Sequence, residues 1–449
     1  MHKLSYLALF LAAACGDDAT PAPDAGAQTT PTTFSVQVDN IAPWTVLESG
    51  AQPVHVDGTS GPIGPGGAFE VTFSGGKGQS VSFASMFGET NDWFFAPGPT
   101  GISLYDANGA PVTGDVTSQV SLWNAGTEVD QEPGVGPDTG PHQSSPDQGA
   151  ADPDPTVRMI SNPVILSDGS SFTRPEVADM IRVTLTPGAN RSFTLRVENV
   201  STDTTLQTSA GARAIHVSPP LWAVHGAPAP FFTPGMPDRA QGLEHIAEAG
   251  DFSMLQSEIH ELTGWPTPIS PGVYAIHTGS EPLYALGLPD RGQGLEHLAE
   301  DGNNTAFLAS MTATAGLTAG SFDIPVGATA KGPAAPGAGY QFSISAMPGD
   351  RLSFATMFGM SDDWIFATNP DGIALFDASG APASGDVTPS INIYDVGTEI
   401  DELPAIGPDT GPQQPAPDTG AADPVVQVRQ VSTYTVPATA HLRVTLTPQ

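Results

Sequence analysis

Val81-Ser-Phe-Ala-Ser-Met-Phe-Gly-Glu-Thr-Asn-Asp-Trp-Phe-Phe-Ala96 returns as Leu352-Ser-Phe-Ala-Thr-Met-Phe-Gly-Met-Ser-Asp-Asp-Trp-Ile-Phe-Ala367, ungapped, with 10 of 16 positions identical. The register holds downstream. Asn124-Ala-Gly-Thr-Glu128-Val-Asp130 falls on Asp395-Val-Gly-Thr-Glu399-Ile-Asp401, and Gly136-Pro-Asp-Thr-Gly140 on Gly407-Pro-Asp-Thr-Gly411. A repeat this long marks a duplicated structural unit.

Outward from the repeat, each copy reads as strands. Phe34, Val36 and Val38 alternate with polar residues, as do Phe193, Leu195 and Val197 ahead of Asn199. Such period-two patterning marks half-buried strands. Phe69, Val71 and Phe73 precede Gly75-Gly-Lys-Gly78, with Val81 and Phe83 returning. Tyr340, Phe342 and Ile344 precede Pro348-Gly-Asp350, with Leu352 and Phe354 returning. Both pairs are expected to be hairpins. Ile181-Arg-Val-Thr-Leu185 and Leu442-Arg-Val-Thr-Leu446 close the copies. The expected fold is all-β, two antiparallel β-sandwich domains in tandem, the second with short added α-helices. The expected organisation is a signal peptide over 1–14, a flexible tether over 15–32, a partial sandwich over 33–190 and a complete one over 191–449.

The helices come from a shorter repeat confined to the second part. Trp222-Ala-Val-His225 matches Tyr274-Ala-Ile-His277, and Pro237–Glu248 matches Pro289–Glu300. Leu243, Ile246 and Ala247, like Leu295, Leu298 and Ala299, fall at i, i+3, i+4, with Gly250 and Gly302 as stops. Pro-rich acidic stretches over 131–156 and 402–424 share the register of the long repeat and are expected to be loops of the domains.

Composition narrows the function. The 449 residues carry 48 acidic side chains against 14 Lys and Arg, a net charge of −34, with 50 Gly and 45 Pro. That charge repels phosphate backbones, so no nucleic-acid partner is expected, while it suits divalent cations. The single cysteine, Cys15, allows no disulfide within the chain. It follows the short apolar run Leu4–Ala14, and Leu11-Ala-Ala-Ala-Cys15 resembles a bacterial lipoprotein cleavage and acylation site, although Ala12 stands where that pattern has Leu. Lipidation of Cys15 would anchor the protein to a membrane. The expected location is the bacterial cell envelope, as an outer-membrane lipoprotein or a secreted protein.

Calcium takes six to eight oxygens, several of them from carboxylates. Asp362 and Asp363 precede Trp364, and Asp395, Glu399 and Asp401 share parity around Gly397, with no Lys or Arg between Asp362 and Asp401. Acids converging without a basic neighbour repel one another unless a cation or protons intervene. The first copy offers Asp92, Asn124, Glu128 and Asp130, with Asn91 where the second has Asp362. Two amides replace carboxylates there, so weaker cation binding is expected.

Ser270-Pro-Gly-Val-Tyr-Ala-Ile-His277, Gly294–Gly302, Pro348–Met357, Ser361-Asp-Asp-Trp364 and Asp395-Val-Gly-Thr-Glu399 together resemble the spondin N-terminal domain. The resemblance covers most of 192–448, and the first copy only in part. It implies a β-sandwich with short helices and a calcium ion, acting in adhesion to a protein or polysaccharide ligand rather than in catalysis. It further implies Asp363, Asp395 and Glu399 as ligands. Glu399 departs from the Asp of the animal members, and Asp362 and Asp401 are added by proximity.

The alternative is an envelope hydrolase built on the duplicated helices, where Glu244, His245 and Glu248 recur as Glu296, His297 and Glu300. Zincin spacing, two histidines four apart around a glutamate, is absent. The helical Glu-His pairs are therefore expected at the surface, and His225 and His277 are expected to be structural.

Overall fold

The computed structural model describes residues 30–449. The expected signal peptide, Cys15 and most of the expected tether lie outside the described residues. No helix among the described residues is long and apolar enough to cross a membrane.

The fold is all-β, with antiparallel sheets and few short helices. In one unit a four-stranded sheet runs Ala68–Ser74, Ser192–Asn199, Ile181–Pro187, Gly114–Asp115. It faces a larger sheet ordered Val46–Ala51, Leu221–His225, Ser80–Met86, Trp93–Pro97, Val120–Asn124, Arg158–Met159. Phe69, Phe73, Phe83, Phe95 and Leu195 fill the space between them. Helices Leu243–Ala249 and Ser253–Glu261 cover the outer face of the larger sheet, packing Leu243, Ile246 and Ile259 on Ala84, Phe94 and Leu221.

The other unit repeats the plan. Gly339–Ala346, Thr32–Asn40, Leu442–Pro448 and Gly385–Asp386 form its small sheet. The large one runs Thr318–Phe322, Gly272–His277, Arg351–Met357, Trp364–Thr368, Ile391–Asp395, Arg429–Gln430. Helices Leu295–Asp301 and Thr305–Ala313 cover it. Gly250 and Gly302 end the first helix of each pair at φ 66° and 65°, a left-handed conformation that glycine adopts without strain.

Three expectations change. The boundary near residue 190 divides the sequence but not the sheets, because Ser192–Asn199 pairs with Ile181–Pro187 and Ala68–Ser74. The cause is local: Gly188 N donates to Ser192 O at 2.7 Å, closing a tight turn over 188–191 that sets the two strands side by side. The slot left in the C-terminal sandwich is filled by Thr32–Asn40, paired with Gly339–Ala346 and Leu442–Pro448. The N-terminal unit, about 46–262, is thus inserted into the C-terminal unit after that unit's first strand. Secondly, the helices are shared, one pair on each sandwich, rather than gathered on the second. Thirdly, the expected hairpins are crossovers, since Ala68–Ser74 and Ser80–Met86 lie in opposite sheets, as do Gly339–Ala346 and Arg351–Met357.

Where the chain enters and leaves the insert, its two strands of linker lie side by side. Val46 N donates to Leu262 O at 3.0 Å and Gly264 N to Val46 O at 2.9 Å. The Trp44 ring sits over Gly264, where any Cβ would come within 2.6 Å of it. Phe34, Val36 and Val38 are fully buried in the C-terminal core. At roughly 1.5–3 kcal/mol per buried side chain, their loss would remove a large part of a typical domain's ~5–15 kcal/mol.

Candidate metal centre

Strand pairing assembles the acids. Trp364 opens one strand and Asp395 closes its neighbour, and the two are register partners. The turn before Trp364 therefore sets Asp362 and Asp363 against the turn that follows Asp395. Gly397, at φ 75°, folds that turn back. Thr398 N, Thr398 Oγ1 and Glu399 N then donate to Asp363 Oδ2 at 2.7, 3.1 and 3.2 Å. Asp362 accepts from Asp363 N at 3.0 Å and Glu402 N at 2.5 Å. Asp401 Oδ1 accepts from the Trp364 indole at 2.7 Å. One carboxylate oxygen each from Asp362, Asp363 and Asp401 lies within 4.8 Å of the others.

The acidic loop 402–424 closes over this end of the sandwich. Gly420 N donates to Glu399 Oε1 at 2.7 Å, and a Cβ on Gly420 would stand 2.2 Å from Glu399 Cδ, so only glycine lets the backbone approach so closely. Gly149 covers Glu128 in the same way. These loops are the lids of the acid clusters.

Glu300 lies beside the centre, grouped with Glu296 and Asp418 and close enough to Glu399 to feel its charge, and was not expected there. It sits on helix Leu295–Asp301 and is 2% exposed, while the His297 side chain on the same helix is 44% exposed beside Asp418. The Glu-His pairs are therefore not surface pairs: Glu248 and Glu300 turn inward and His297 outward. The sequence signal was faint, a glutamate repeated just before each helix-ending glycine region.

Four of the five acids expected here are buried, the exception being Asp401. Asp363 Oδ1, Glu399 Oε2 and Glu300 Oε2 are buried with no hydrogen-bond partner among the described residues. Burial, then the neighbouring Asp363, raises the Asp362 carboxyl to about 8. Burial raises Glu399 to about 7 and Glu300 to about 9, with Glu399 adding to the rise at Glu300. Burial also raises Asp363.

One expectation about charge is corrected. The acids do have a basic neighbour, because Arg429 returns from beyond the lid loop and contacts Asp395 Oδ2, with Asp423 at 2.6 Å and Asp401 at 3.6 Å. With Asp395 Oδ1 accepting from Gly397 N at 2.6 Å, both oxygens of Asp395 are engaged.

The N-terminal copy has the same frame with its carboxylate oxygens bonded, while the amide oxygen of Asn91 is buried without a partner among the described residues. Asp92 takes Thr127 Oγ1 on one oxygen at 2.7 Å and Thr127 N and Glu128 N on the other at 2.9 and 3.2 Å. Burial raises it well above the usual carboxylate range. Glu128 accepts from Gly149 N at 2.5 Å and Asn91 Nδ2 at 3.3 Å. Asn124 Nδ2 donates to Asp130 at 2.8 Å, and Glu248 accepts from Asp147 N at 2.9 Å and Thr127 Oγ1 at 3.3 Å.

His225 and His277 are structural. The Nδ1 of each faces a backbone carbonyl, at 2.6 and 2.8 Å, and its Nε2 a buried serine hydroxyl at 2.9 Å. The chain matches no protein-family model and no curated protein.

Proposed function

We propose that the protein is a non-catalytic binding or adhesion module of the bacterial cell envelope, with a structural calcium ion in its C-terminal sandwich. The observation that carries this reading is the convergence of Asp362, Asp363 and Asp401, one oxygen of each within 4.8 Å of the others, beside buried oxygens on Asp363, Glu399 and Glu300 that have no partner among the described residues. A buried acceptor left unpaired costs about 1–3 kcal/mol, and carboxylates this close repel one another unless protons or a cation intervene. A hard, oxygen-seeking dication answers both costs at once. Asp362, Asp363 and Asp401 would hold the ion, Glu399 and Glu300 would add charge around it, and Arg429 would keep Asp395 in place. The N-terminal copy, whose Asp92, Asn124 and Glu128 are already bonded, would leave calcium little to satisfy.

The ion would tie the turns at one end of the sandwich to a covering helix and lid loop, giving a rigid face for a cell-surface protein or polysaccharide. The spondin-like motifs belong to this proposal, as does anchoring through a lipid at Cys15. The test is thermal unfolding of the full chain in EDTA and in millimolar calcium. A ligand that binds only the folded state at a hundred times its Kd adds about 2.7 kcal/mol. Calcium should raise the melting temperature of the parent and of Asp92→Asn but not of Asp363→Asn. An equal rise in all three would remove the centre from this end of the C-terminal sandwich.

A further inference from the structure

The two units differ at a second place, a cleft between the lid loop, the first covering helix and the segment leading to the histidine strand. In the C-terminal unit it holds about 320 Å³, and in the N-terminal unit about 850 Å³. The walls correspond: Met86, Gly140, Ser218 and Pro219 in one stand where Met357, Gly411, Ser270 and Pro271 stand in the other. Three polar positions do not. Glu89, Arg213 and His216 of the N-terminal unit fall in register with Met360, Trp265 and Pro268, all apolar.

This trio is built rather than scattered. Glu89 is 3% exposed, and its carboxylate accepts from His216 N at 2.9 Å and faces His216 Nδ1 at 2.7 Å. Both carboxylate oxygens of Glu89 are thus engaged, and the His216 side chain is 51% exposed. Arg213 packs its stem against Gly134, where a Cβ would lie 2.9 Å from the arginine Cδ. Its guanidinium forms no ion pair or hydrogen bond among the described residues. Every other described arginine has at least one such partner, which in a chain of net charge −34 is the ordinary outcome.

The uncommitted cation in the cleft is therefore Arg213, whose planar fork matches a carboxylate, while the two carboxylates of the wall are engaged, Glu89 by His216 and Glu248 by Asp147 N and Thr127 Oγ1. Pro62, Met86, Pro141 and Pro219 supply apolar wall. We infer that this cleft binds a small organic carboxylate with an apolar body, its head on Arg213 and its tail against the prolines. The protein's overall negative charge does not forbid this, since exposed charges more than about 8 Å away are largely screened at physiological salt. The inference does not depend on calcium.

The experiment is calorimetric titration of the full-length protein with straight-chain carboxylates of four to twelve carbons and with 4-phenylbutyrate. The neutral amide of each tight binder and 4-phenylbutylamine serve as controls. One or more carboxylates should saturate one site per chain, tighten with chain length, and bind at least tenfold better than the amide. Arg213→Gln should lose at least tenfold in affinity without change in melting temperature. Ala214→Trp, which fills the cleft from its wall, should lose binding while leaving Arg213 in place. No binding by any carboxylate, equal binding of acid and amide, preference for the amine, or full affinity in Arg213→Gln would each overturn the inference.

Discussion

Asn40 and Asn199 make the same pair of buried hydrogen bonds in two different sandwiches. Asn40 Nδ2 donates to Thr267 O at 2.9 Å and Ala334 O at 3.1 Å, and Asn199 Nδ2 to Ile215 O at 2.7 Å and Ile63 O at 3.2 Å. Each asparagine ends the strand that fills the centre of a small sheet. The N-terminal strand of the chain thus serves the C-terminal unit as Ser192–Asn199 serves the N-terminal one.

This exchange has a direct consequence. Asn40→Ala removes two buried donors and takes a partner from Thr267 O, while Ala334 O keeps Ile269 N at 3.0 Å, a loss of about 1–3 kcal/mol. Hydrogen exchange should quicken in Gly339–Ala346 and Leu442–Pro448 while Ala68–Ser74 stays protected, and Asn199→Ala should give the reverse pattern. Loosening of Ala68–Ser74 in Asn40→Ala would contradict the pairing.

Arg429 is the cation that makes a buried Asp395 tolerable. Removing one partner of a buried pair costs roughly 3–5 kcal/mol, reduced here to about 2 kcal/mol because the arginine is about a third exposed to water. Arg429→Met should therefore lower the urea midpoint in EDTA. Calcium should recover more stability in this variant than in the parent, because Asp395 then has an oxygen to offer.

His441 gives a pH dependence of known sign. It is fully buried beneath Trp44, Phe358 and Phe366, with Tyr434 Oη 2.9 Å from Nε2 and no partner for Nδ1 among the described residues. Burial pushes it down to about 3. In the unfolded chain it titrates near 6.5, so between those values only the unfolded state takes the proton. Stability from this group is intact above about 6.5 and falls with pH by about 1.4 kcal/mol per unit, or about 2 kcal/mol by pH 5. His441→Gln should flatten that part of the slope, read as the difference between parent and variant in urea midpoints across pH 5–7.

The strands, their alternation and the convergence of the acid-bearing turns were legible in the sequence because each is written within a few adjacent residues. Which strand joins which sandwich was harder, since Phe34–Asn40 and Phe193–Asn199 carry the same pattern and fit either slot. The deciding feature is the turn over 188–191, closed by the hydrogen bond from Gly188 N to Ser192 O, which returns the chain along its own sheet. Glu300 was misread because a glutamate near a helix end looks solvated until the 402–424 loop is folded over it. Arg429 lay beyond that loop, and Glu89, Arg213 and His216 are too widely spaced to read as a group.

Calcium stoichiometry tests the central claim most directly. Titrating calcium into the EDTA-stripped and dialysed full-length protein should show one tight site per chain. That site should persist in Asp92→Asn and disappear in Asp363→Asn, one of the three acids whose oxygens converge. No calcium uptake by the parent, or a site that survives Asp363→Asn unchanged, would contradict the account.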